Sequence, residues 1–291
     1  MTSRITIQTS GKALGADVLD VDISLPLSDE VIAEIKNAWH KHLVLRFRKQ
    51  TLNDAQLITF SRHFGQLDLA PISSSGRREI PEHPEIVVIS NVRENGRRIG
   101  SLGNAEAEWH TDMSYIKKPP KMSCLYSLEI PKQGGNTSFL NMYDAYETLS
   151  SELKAIVNGK QCKHDISRNS AGEVRKGFEE FANEADPMKI PGTYHPLVCV
   201  HPITRKKCLY LGRRFNACIE GLSLADSDTL LDTLWAHATQ DHLRWDQIWQ
   251  VGDLILWDNR CTMHRRDAFE DSERRIMHRT QVQGETVPEP A

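Results

Sequence analysis

Two stretches near the amino terminus place apolar residues at the three-to-four spacing of an amphipathic helix. Residues 28–42 show this spacing behind Ser28, whose side chain suits the N-cap of a helix. Residues 53–65 repeat the pattern and end at Gly65, a residue type that commonly stops helices. We therefore predict two helices, joined by a short apolar strand at 43–48.

Farther along the chain, short strands outnumber helices. Apolar or alternating runs predict strands at 85–90, 107–115, 122–130, 137–142, 196–201, 208–212 and 274–284, and two strands about a Gly252-Asp253 turn within 244–260. Helical patterns return at 143–157 and 224–240, and Asn95-Gly96 suits the tip of a hairpin. Because the strands do not alternate regularly with helices, the pattern disfavours a doubly wound parallel sheet.

This order of elements predicts a mixed α/β (α+β) fold with a double-stranded β-helix (jelly roll) core and covering helices. A chain of 291 residues suits one such domain, which we expect to span residues 1–291. Residues 160–195 stand apart, because Gly, Pro, Asn and charged residues leave little periodicity there. Long loops often carry function, so we expect this segment to form an excursion or lid.

Composition narrows the class of protein. Hydrophobic residues make up 39% of the chain, enough for a core, and the net charge of -3 comes without a charged tail. Nucleic-acid binding by bulk electrostatics is therefore not expected. The six cysteines form no CxxC pair, and no apolar run approaches the roughly 18 residues of a membrane span. We expect a soluble cytoplasmic protein that acts on a small molecule, with no nucleic-acid or membrane partner, and that forms a homo-oligomer.

The stretch "AEWHTDMSY" introduces candidate chemistry. His110 and Asp112 are two positions apart, and in a strand such side chains leave the same face. They would supply two of the three ligands of a facial site for a divalent metal. For an isolated pair, a partly buried hydrogen bond between the two side chains is the more common explanation.

The carboxyl-terminal part of the chain offers the missing ligand and two arginines. His264 follows a buried-looking strand in "LILWDNRCTMHRR" and can complete the metal site. Arg275 and Arg279 are four positions apart in an alternating strand, so both should face the same side. An arginine that faces a core needs an anionic partner, whereas an outward-facing basic stripe would need none.

Four motifs, taken in their order along the chain, resemble one enzyme family. They are "WHTDMSY", "GGNTSF", "GDLILWDNRCTMHR" and "RRIMHR", and the resemblance extends from the early "GADVLDVDIS" to the last predicted strand. The family is that of taurine dioxygenase and 2,4-dichlorophenoxyacetate dioxygenase, which are non-haem iron enzymes that use 2-oxoglutarate. Each motif is short, and their joint order and spacing make the resemblance specific.

The resemblance implies a role for each candidate residue. The Fe(II) ligands would be His110, Asp112 and His264. Such a facial set leaves adjacent metal positions for 2-oxoglutarate, the cosubstrate, and O2. Thr137 and Arg275 are implied to bind the distal carboxylate of 2-oxoglutarate, and Arg279 is implied to meet the acidic group of the primary substrate.

The implied activity is hydroxylation of a C–H bond in a small anionic organic substrate, with succinate and CO2 as co-products. Where the attacked carbon carries oxygen, nitrogen or sulfur, the hydroxylated product collapses and that bond breaks. An aryloxyalkanoate-like carboxylate is the substrate class we expect, and a sulfonate or alkyl sulfate is the alternative within the family. A non-oxidative metal hydrolase and a non-catalytic jelly-roll binding protein are the alternatives of another class.

Taurine itself is not expected as the substrate. Enzymes specific for it carry a histidine and a tyrosine where this chain has Ala70 and Ser73, if that loop aligns without gaps. They also carry an asparagine four residues before the first iron ligand, where this chain has Glu106. A carboxylate is poorly suited to lie beside a sulfonate, because the two charges repel.

Several neighbouring aromatic side chains admit two interpretations. Trp109 and Trp257 flank the candidate ligands, so each can line a pocket or simply add aromatic mass to the core. His195 and His201 lie beside prolines at predicted strand ends, where structural histidines are more common than metal ligands.

Overall fold

The computed structural model describes residues 5–72 and 78–291, and it confirms a mixed α/β architecture. In these ranges the helices are α1 (Asp29–His42), α2 (Asp54–Arg62), α3 (Met142–Glu147), α4 (Ser151–Val157) and α5 (Leu224–Ala238). The strands are β1 (Thr6–Thr9), β2 (Ala16–Leu19), β3 (Val44–Phe47), β4 (Val87–Ser90), β5 (Arg93–Glu94), β6 (Arg97–Arg98), β7 (Ser101–Leu102), β8 (Ala107–His110), β9 (Met122–Glu129), β10 (Thr137–Asn141), β11 (Gln161–Asp165), β12 (Gly192–Pro196), β13 (Val198–Val200), β14 (Lys207–Leu209), β15 (Cys218–Ile219), β16 (Arg244–Gln247), β17 (Leu254–Asp258), β18 (Thr262–Arg266), β19 (Ile276–Val282) and β20 (Glu289–Pro290).

The helices begin at residues that can cap them. Ser28 caps α1, and Asn53 forms a reciprocal capping box at the start of α2. The long helix α5 likewise begins behind Ser223. The helical stretch predicted at 143–157 divides into α3 and α4, because Ser150 accepts a backbone N–H and starts a new helix.

Two sheets share the core that surrounds the candidate ligands. The large sheet has the strand order β1-β2-β3-β17-β9-β19-β4-β7, and the small sheet has the order β16-β10-β18-β8. Leu254 and Leu256 of β17 belong to the hydrophobic cluster beneath α1 and α2. Ile255 and Trp257 belong instead to a second cluster, together with Phe139 of the small sheet. The large sheet therefore packs helices on one face and the small sheet on the other.

The two strands predicted within 244–260 do not pair with each other. β16 joins the small sheet beside β10, whereas β17 lies in the large sheet between β3 and β9. Gly252 turns the chain between them with a φ of +83°, and a side chain there would lie 2.7 Å from the Gln50 carbonyl oxygen. The predicted hairpin at Asn95-Gly96 is confirmed, since β5 pairs with β6 across it.

The irregular segment is shorter than predicted. Residues 160–195 include β11 at one end and most of β12 at the other, and these two strands pair with each other. The prediction of weak structure is therefore wrong at both ends, because each strand is short and stabilised by its partner rather than by its own pattern. Residues 166–191 remain an excursion that contains two short 3-10 turns.

All six cysteines are free and buried, in agreement with reduced core thiols. In the part of the chain that the structure describes, no helix is long and apolar enough to cross a membrane.

Candidate active site

The two candidate histidines face each other across neighbouring strands of the small sheet. β8 and β18 run antiparallel with His110 directly opposite His264, and the centroids of the two rings are 4.2 Å apart. Both side chains are buried. Two positions that are 154 residues apart in sequence thus become nearest neighbours through strand pairing alone.

Asp112 reaches the same place by a different route from the one the sequence predicted. β8 ends at His110, so His110 and Asp112 do not share a strand face. Asp112 lies in the following turn, where Met113 has a φ of +48°. His110 and Asp112 still meet as predicted, because the turn brings the Asp112 carboxylate back beside the His110 imidazole. The Asp112 Oδ1 atom lies 3.7 Å from His110 Nε2 and 3.9 Å from His264 Nε2.

These three side chains can hold one metal ion. Their ligand atoms all lie within 4.8 Å of one another. Bonds from histidine nitrogen and carboxylate oxygen to a divalent metal such as zinc are about 2 Å long, so one ion can reach all three atoms. Two neutral imidazoles and one carboxylate form the donor set typical of non-haem Fe(II) oxygenases.

Hydrogen bonding orients the His110 ring, and burial keeps the His264 ring neutral, as a metal ligand requires. The Nδ1 atom of His110 donates to the Glu108 carbonyl oxygen at 2.7 Å, which leaves Nε2 free as a ligand. Burial and the adjacent His110 lower the pKa of His264 to about 3, so its ring is neutral. The His264 ring also packs against Trp257, with their centroids 4.8 Å apart.

Polar neighbours hold the Asp112 carboxylate in its charged form. Ser123 Oγ donates to Oδ2 at 2.9 Å, and the Arg279 guanidinium donates to Oδ1 at 3.2 Å. Ser123 is itself held by Asn259 and Gln281. Burial raises the pKa of Asp112, but the charge of Arg279 and a hydrogen bond from His110 oppose burial, and the pKa lies well below its usual range.

The contact with Asp112 changes the interpretation of Arg279. From the sequence, Arg279 is expected to lack an anion until substrate binds. In the structure Asp112 already supplies one, so the premise is wrong, although Arg279 does line the same cavity as Arg275 as predicted. Side chains alternate between the two faces of β19 as predicted. Met277, midway between the two arginines, is buried on the same face as they are.

A second group of polar side chains lies around Thr137. Arg266 is the register partner of Thr137 in the pairing of β10 with β18, and Arg275 is only 2% exposed. The Nε atoms of both arginines are buried without a hydrogen-bond partner, and neither side chain forms an ion pair within the described ranges. Burial and the charge of Arg266 lower the pKa of Arg275 to about 9. Two buried cations without an anion indicate a binding site for a carboxylate.

The motif "GGNTSF" supplies the wall of this pocket. A side chain on Gly135 would lie 3.4 Å from the Arg275 side chain and 2.9 Å from Pro131, so glycine permits the close approach. Trp249 donates its ring N–H to Thr137 Oγ1 at 3.0 Å, which leaves the Thr137 hydroxyl hydrogen available to donate. Arg266 was missed in the sequence, although its position two residues after His264 would place it on the same face if both lie in one strand.

The ligands and the arginines open into one cavity of about 560 Å³, within the range of small-molecule sites. Apolar walls come from the large sheet. They are formed by Val87, Ile89, Leu125 and Trp257. The sequence left two interpretations for Trp109 and Trp257. Trp257 lines the cavity and is also part of the hydrophobic core. Trp109 instead packs beneath Arg265, 5.3 Å from its guanidinium, and does not line the cavity.

The charged lining is strongly basic. The cavity is lined by five arginines and two aspartates, namely Arg175, Arg213, Arg266, Arg275, Arg279, Asp68 and Asp112. Arg175 and Arg213 were also missed by sequence reasoning. Arg175 lies in the 166–191 excursion, whose Asn169 and Ser170 line the cavity too. Burial and the nearby Arg175 lower the pKa of Arg213.

Neither Glu106 nor Ala70, two of the residues expected to disfavour taurine, faces the cavity. Glu106 is exposed and forms an ion pair with Arg265 at 3.2 Å, so its carboxylate does not face the cavity. Ala70 is buried in the core and is not part of the cavity lining, and Ser73 lies outside the described residues. The choice among acidic substrates must rest on other residues.

The other two candidate histidines, His195 and His201, have structural partners. His195 bonds to the Ile116 carbonyl oxygen at 3.0 Å. His201 lies near Asp258 and Cys261 in a second group of potential ligand atoms. There the Asp258 carboxylate is already bound by Arg260 at 2.6 Å and by His201 at 3.1 Å, so its charge is compensated without a metal.

Comparison with known proteins gives one consistent answer. The family model described as taurine catabolism dioxygenase TauD, TfdA family matches residues 6–281. Pentalenolactone F synthase of Streptomyces arenae is 32% identical over 276 residues, which cover 92% of this chain and 91% of that protein. The alpha-ketoglutarate-dependent 2,4-dichlorophenoxyacetate dioxygenase of Cupriavidus pinatubonensis is 32% identical over 278 residues, with coverage of 94% and 95%.

A solved structure is similar to this chain in both fold and sequence. The crystal structure of AAD-2 in complex with Mn(II) and N-oxalylglycine superposes with a TM-score of 0.79 at 32% identity. The match covers 98% of this chain and 99% of that one.

Proposed function

The chain belongs to the TauD, TfdA family of dioxygenases, and from that premise we propose that it hydroxylates a small organic anion. It is a non-haem Fe(II)- and 2-oxoglutarate-dependent oxidoreductase that uses O2. When bound, Fe(II) and 2-oxoglutarate activate dioxygen for attack on a substrate C–H bond, with succinate and CO2 as co-products. The protein's own residues bind, orient and enclose the reactants.

The observation that carries the proposal is the buried convergence of His110, Asp112 and His264 in a cavity that also holds buried arginines without a carboxylate partner. The three side chains would hold the metal, and Ser123 would keep the carboxylate oriented. A metal hydrolase would need the same three ligands but would give no reason for buried cations beside Thr137. A binding protein without catalysis would not need a set of ligands kept in metal-ready form.

Arg275 and Thr137 would bind the distal carboxylate of 2-oxoglutarate, and we add Arg266 to this pair. A planar guanidinium offers two parallel donors to a carboxylate, and the Thr137 hydroxyl offers a third. Supporting this role, the side chains of both arginines are buried, and neither forms an ion pair with a carboxylate of the described chain. The cosubstrate would neutralise charge that is otherwise costly to bury.

The substrate would be an aryloxyalkanoate-like carboxylate, with a sulfonate or alkyl sulfate as the alternative. The basic lining supports an acidic group, and the apolar walls support a hydrophobic or aromatic body. The name of the Cupriavidus relative points to the same class of molecule. Arg279 would contribute to substrate binding while one of its nitrogen atoms stays on Asp112. Hydroxylation next to an ether oxygen would then release the aryl group.

The fold and assembly expected from the sequence form part of this proposal. We infer that the two sheets are the halves of a double-stranded β-helix within one domain of residues 1–291. The shared cluster that links β17 of one sheet with β10 of the other supports this inference. Residues 166–191 would act as the lid, since Asn169, Ser170 and Arg175 line the cavity. A homo-oligomer in the cytoplasm stays a prediction.

Two measurements test the function. Adding 2-oxoglutarate to the Fe(II) protein without oxygen should produce a visible charge-transfer absorption band, which neither a hydrolase nor a binding protein would give. In air, a panel of aryloxyalkanoates, sulfonates and alkyl sulfates should then yield substrate-dependent succinate. A chain that gave no such band and formed no succinate with any member of the panel would not be a 2-oxoglutarate dioxygenase.

A further inference from the structure

The side of the cavity opposite Thr137 holds a pair of arginines that the proposed chemistry does not use. In the small sheet, β18 with His264 lies between β10 with Thr137 and β8 with His110. Arg213 lies beyond β8, where its backbone forms a bridge to His110. Arg213 therefore borders the metal ligands on the side away from the cosubstrate pocket.

Both arginines of this pair are held by the same carbonyl group. Arg213 Nη1 donates to the Arg168 carbonyl oxygen at 2.7 Å, and Arg175 Nε donates to the same oxygen at 3.1 Å. Their guanidinium groups are therefore close neighbours of like charge. Tyr115 fixes the second of them, because its hydroxyl accepts from Arg175 Nη1 at 2.5 Å and its ring lies 4.1 Å below the guanidinium.

Neither charge is compensated by a direct ion pair among the described residues, and the carboxylates of Asp165 and Asp112 act on Arg213 only through space. Arg213 is only 7% exposed, and its Nε atom is buried without a hydrogen-bond partner. Neither Arg213 nor Arg175 forms an ion pair with any described carboxylate, whereas Arg279 has Asp112. A carbonyl oxygen carries no full charge, so a bound anion would complete the compensation of these two cations.

We propose that Arg213 and Arg175 bind the acidic group of the primary substrate, at a subsite separate from Arg279 and from the cosubstrate pocket. This inference rests on the proposed function and specifies which residues select the substrate. Two adjacent guanidinium groups suit a carboxylate, sulfonate or sulfate, because each offers at least two acceptor oxygens. Arg213 borders the metal ligands, so an acid held there would keep its neighbouring C–H bonds near the metal.

The test measures binding without turnover. The protein is loaded with Mn(II) and N-oxalylglycine so that the cosubstrate pocket is filled, and calorimetry measures the Kd of two acid probes and their neutral analogues. The probes are phenoxyacetate against 2-phenoxyethanol, and hexyl sulfate against 1-hexanol. The wild-type chain should bind at least one acid about tenfold or more tightly than its neutral analogue. Arg213→Gln should reduce that preference to within about threefold, and Arg175→Gln should reduce it less, because Arg175 is more exposed.

Arg214→Gln is the matched control. It removes the same charge one position along the chain, but Arg214 points at Asp228 and Asp232 on α5 and should leave the preference unchanged. Thermal unfolding checks that each variant is folded. If Arg213→Gln does not fold, the acid preferences of Arg213→Lys and Arg175→Gln are measured in its place.

Three outcomes would overturn the inference. They are no acid preference in the wild-type chain, a preference retained in both Arg213→Gln and Arg175→Gln, and a preference lost in Arg279→Gln alone. Failure of the proposed function gives a different result, namely no succinate from the Fe(II) enzyme whatever the Kd values show.

Discussion

The cavity has two arginine-bearing ends that are built from different parts of the fold. Arg266 lies in β18 and Arg275 directly precedes β19, so the end that we propose for the cosubstrate is built on the sheets. Arg175 lies in the 166–191 excursion and Arg213 follows β14, so the opposite end is made of connecting segments. Sheets hold side chains in one geometry, whereas connections tolerate substitution and insertion. A pocket for one invariant cosubstrate benefits from the fixed geometry of a sheet. A pocket that selects a substrate benefits from loops, because loops tolerate substitution and insertion.

The metal ligands lie between the two ends, and losing one of them should have the largest effect. Asp112→Ala removes the only carboxylate of the three ligands and should lower turnover by at least about a thousandfold, through weakened metal affinity. His110→Ala and His264→Ala should act in the same way. Metal content after dialysis and succinate formation measure the effect.

Asp267→Ala is the control for Asp112→Ala, since Asp267 is a partly exposed carboxylate three residues beyond His264. Near-normal turnover in His264→Ala would remove that histidine from the metal site.

The cosubstrate end is tested next. Arg275→Lys keeps the charge but loses the paired donors of the guanidinium, a loss of roughly 1.5–3 kcal/mol. The KM for 2-oxoglutarate should therefore rise about 10- to 100-fold, while the preference for acidic over neutral substrates stays within about twofold. An unchanged KM for 2-oxoglutarate would show that Arg275 does not bind the cosubstrate. A lost substrate preference would show that the two ends are not separate.

Arg266→Gln should give a smaller change at the same end. Arg266 already donates to the carbonyl oxygens of Leu102 and Ala105, so only part of its binding capacity is available to a carboxylate. We expect the KM for 2-oxoglutarate to rise about 3- to 10-fold, in line with one hydrogen bond to a charged group. The Kd of N-oxalylglycine for the Mn(II) protein provides an independent measurement. If that Kd does not change, Arg266 is structural.

The smallest effect should come from Tyr115→Phe at the loop-built end. The change removes one hydrogen bond to Arg175 but keeps the ring beneath the guanidinium. A net loss of about 0.5–1.5 kcal/mol predicts a 2- to 10-fold weaker Kd for the preferred acid probe, with the KM for 2-oxoglutarate unchanged. If Tyr115→Phe changed the cosubstrate KM instead, the two ends would be coupled through the metal ligands.

Local patterns predicted most elements of the fold. α1, α2 and α5 form where capping residues precede an apolar stripe, because both signals act within one or two turns of helix. The sequence could not show that β16 and β17 belong to different sheets. Strand partners are chosen by contacts between distant segments, and two runs flanking a glycine turn suit a hairpin equally well.

By itself the sequence predicted the metal ligands and, through the family resemblance, the cosubstrate residues, because "WHTD", "GGNTSF" and "RRIMHR" keep their chemistry in short motifs with characteristic order. Only the tertiary structure decided that Asp112 approaches through a turn, that Arg279 already has an anion, and that Glu106 faces away from the cavity. It alone brought Arg213 and Arg175 to one carbonyl oxygen. The physical reason is that motifs record which groups are present, whereas charge compensation depends on distances that are set by packing between segments far apart in the chain.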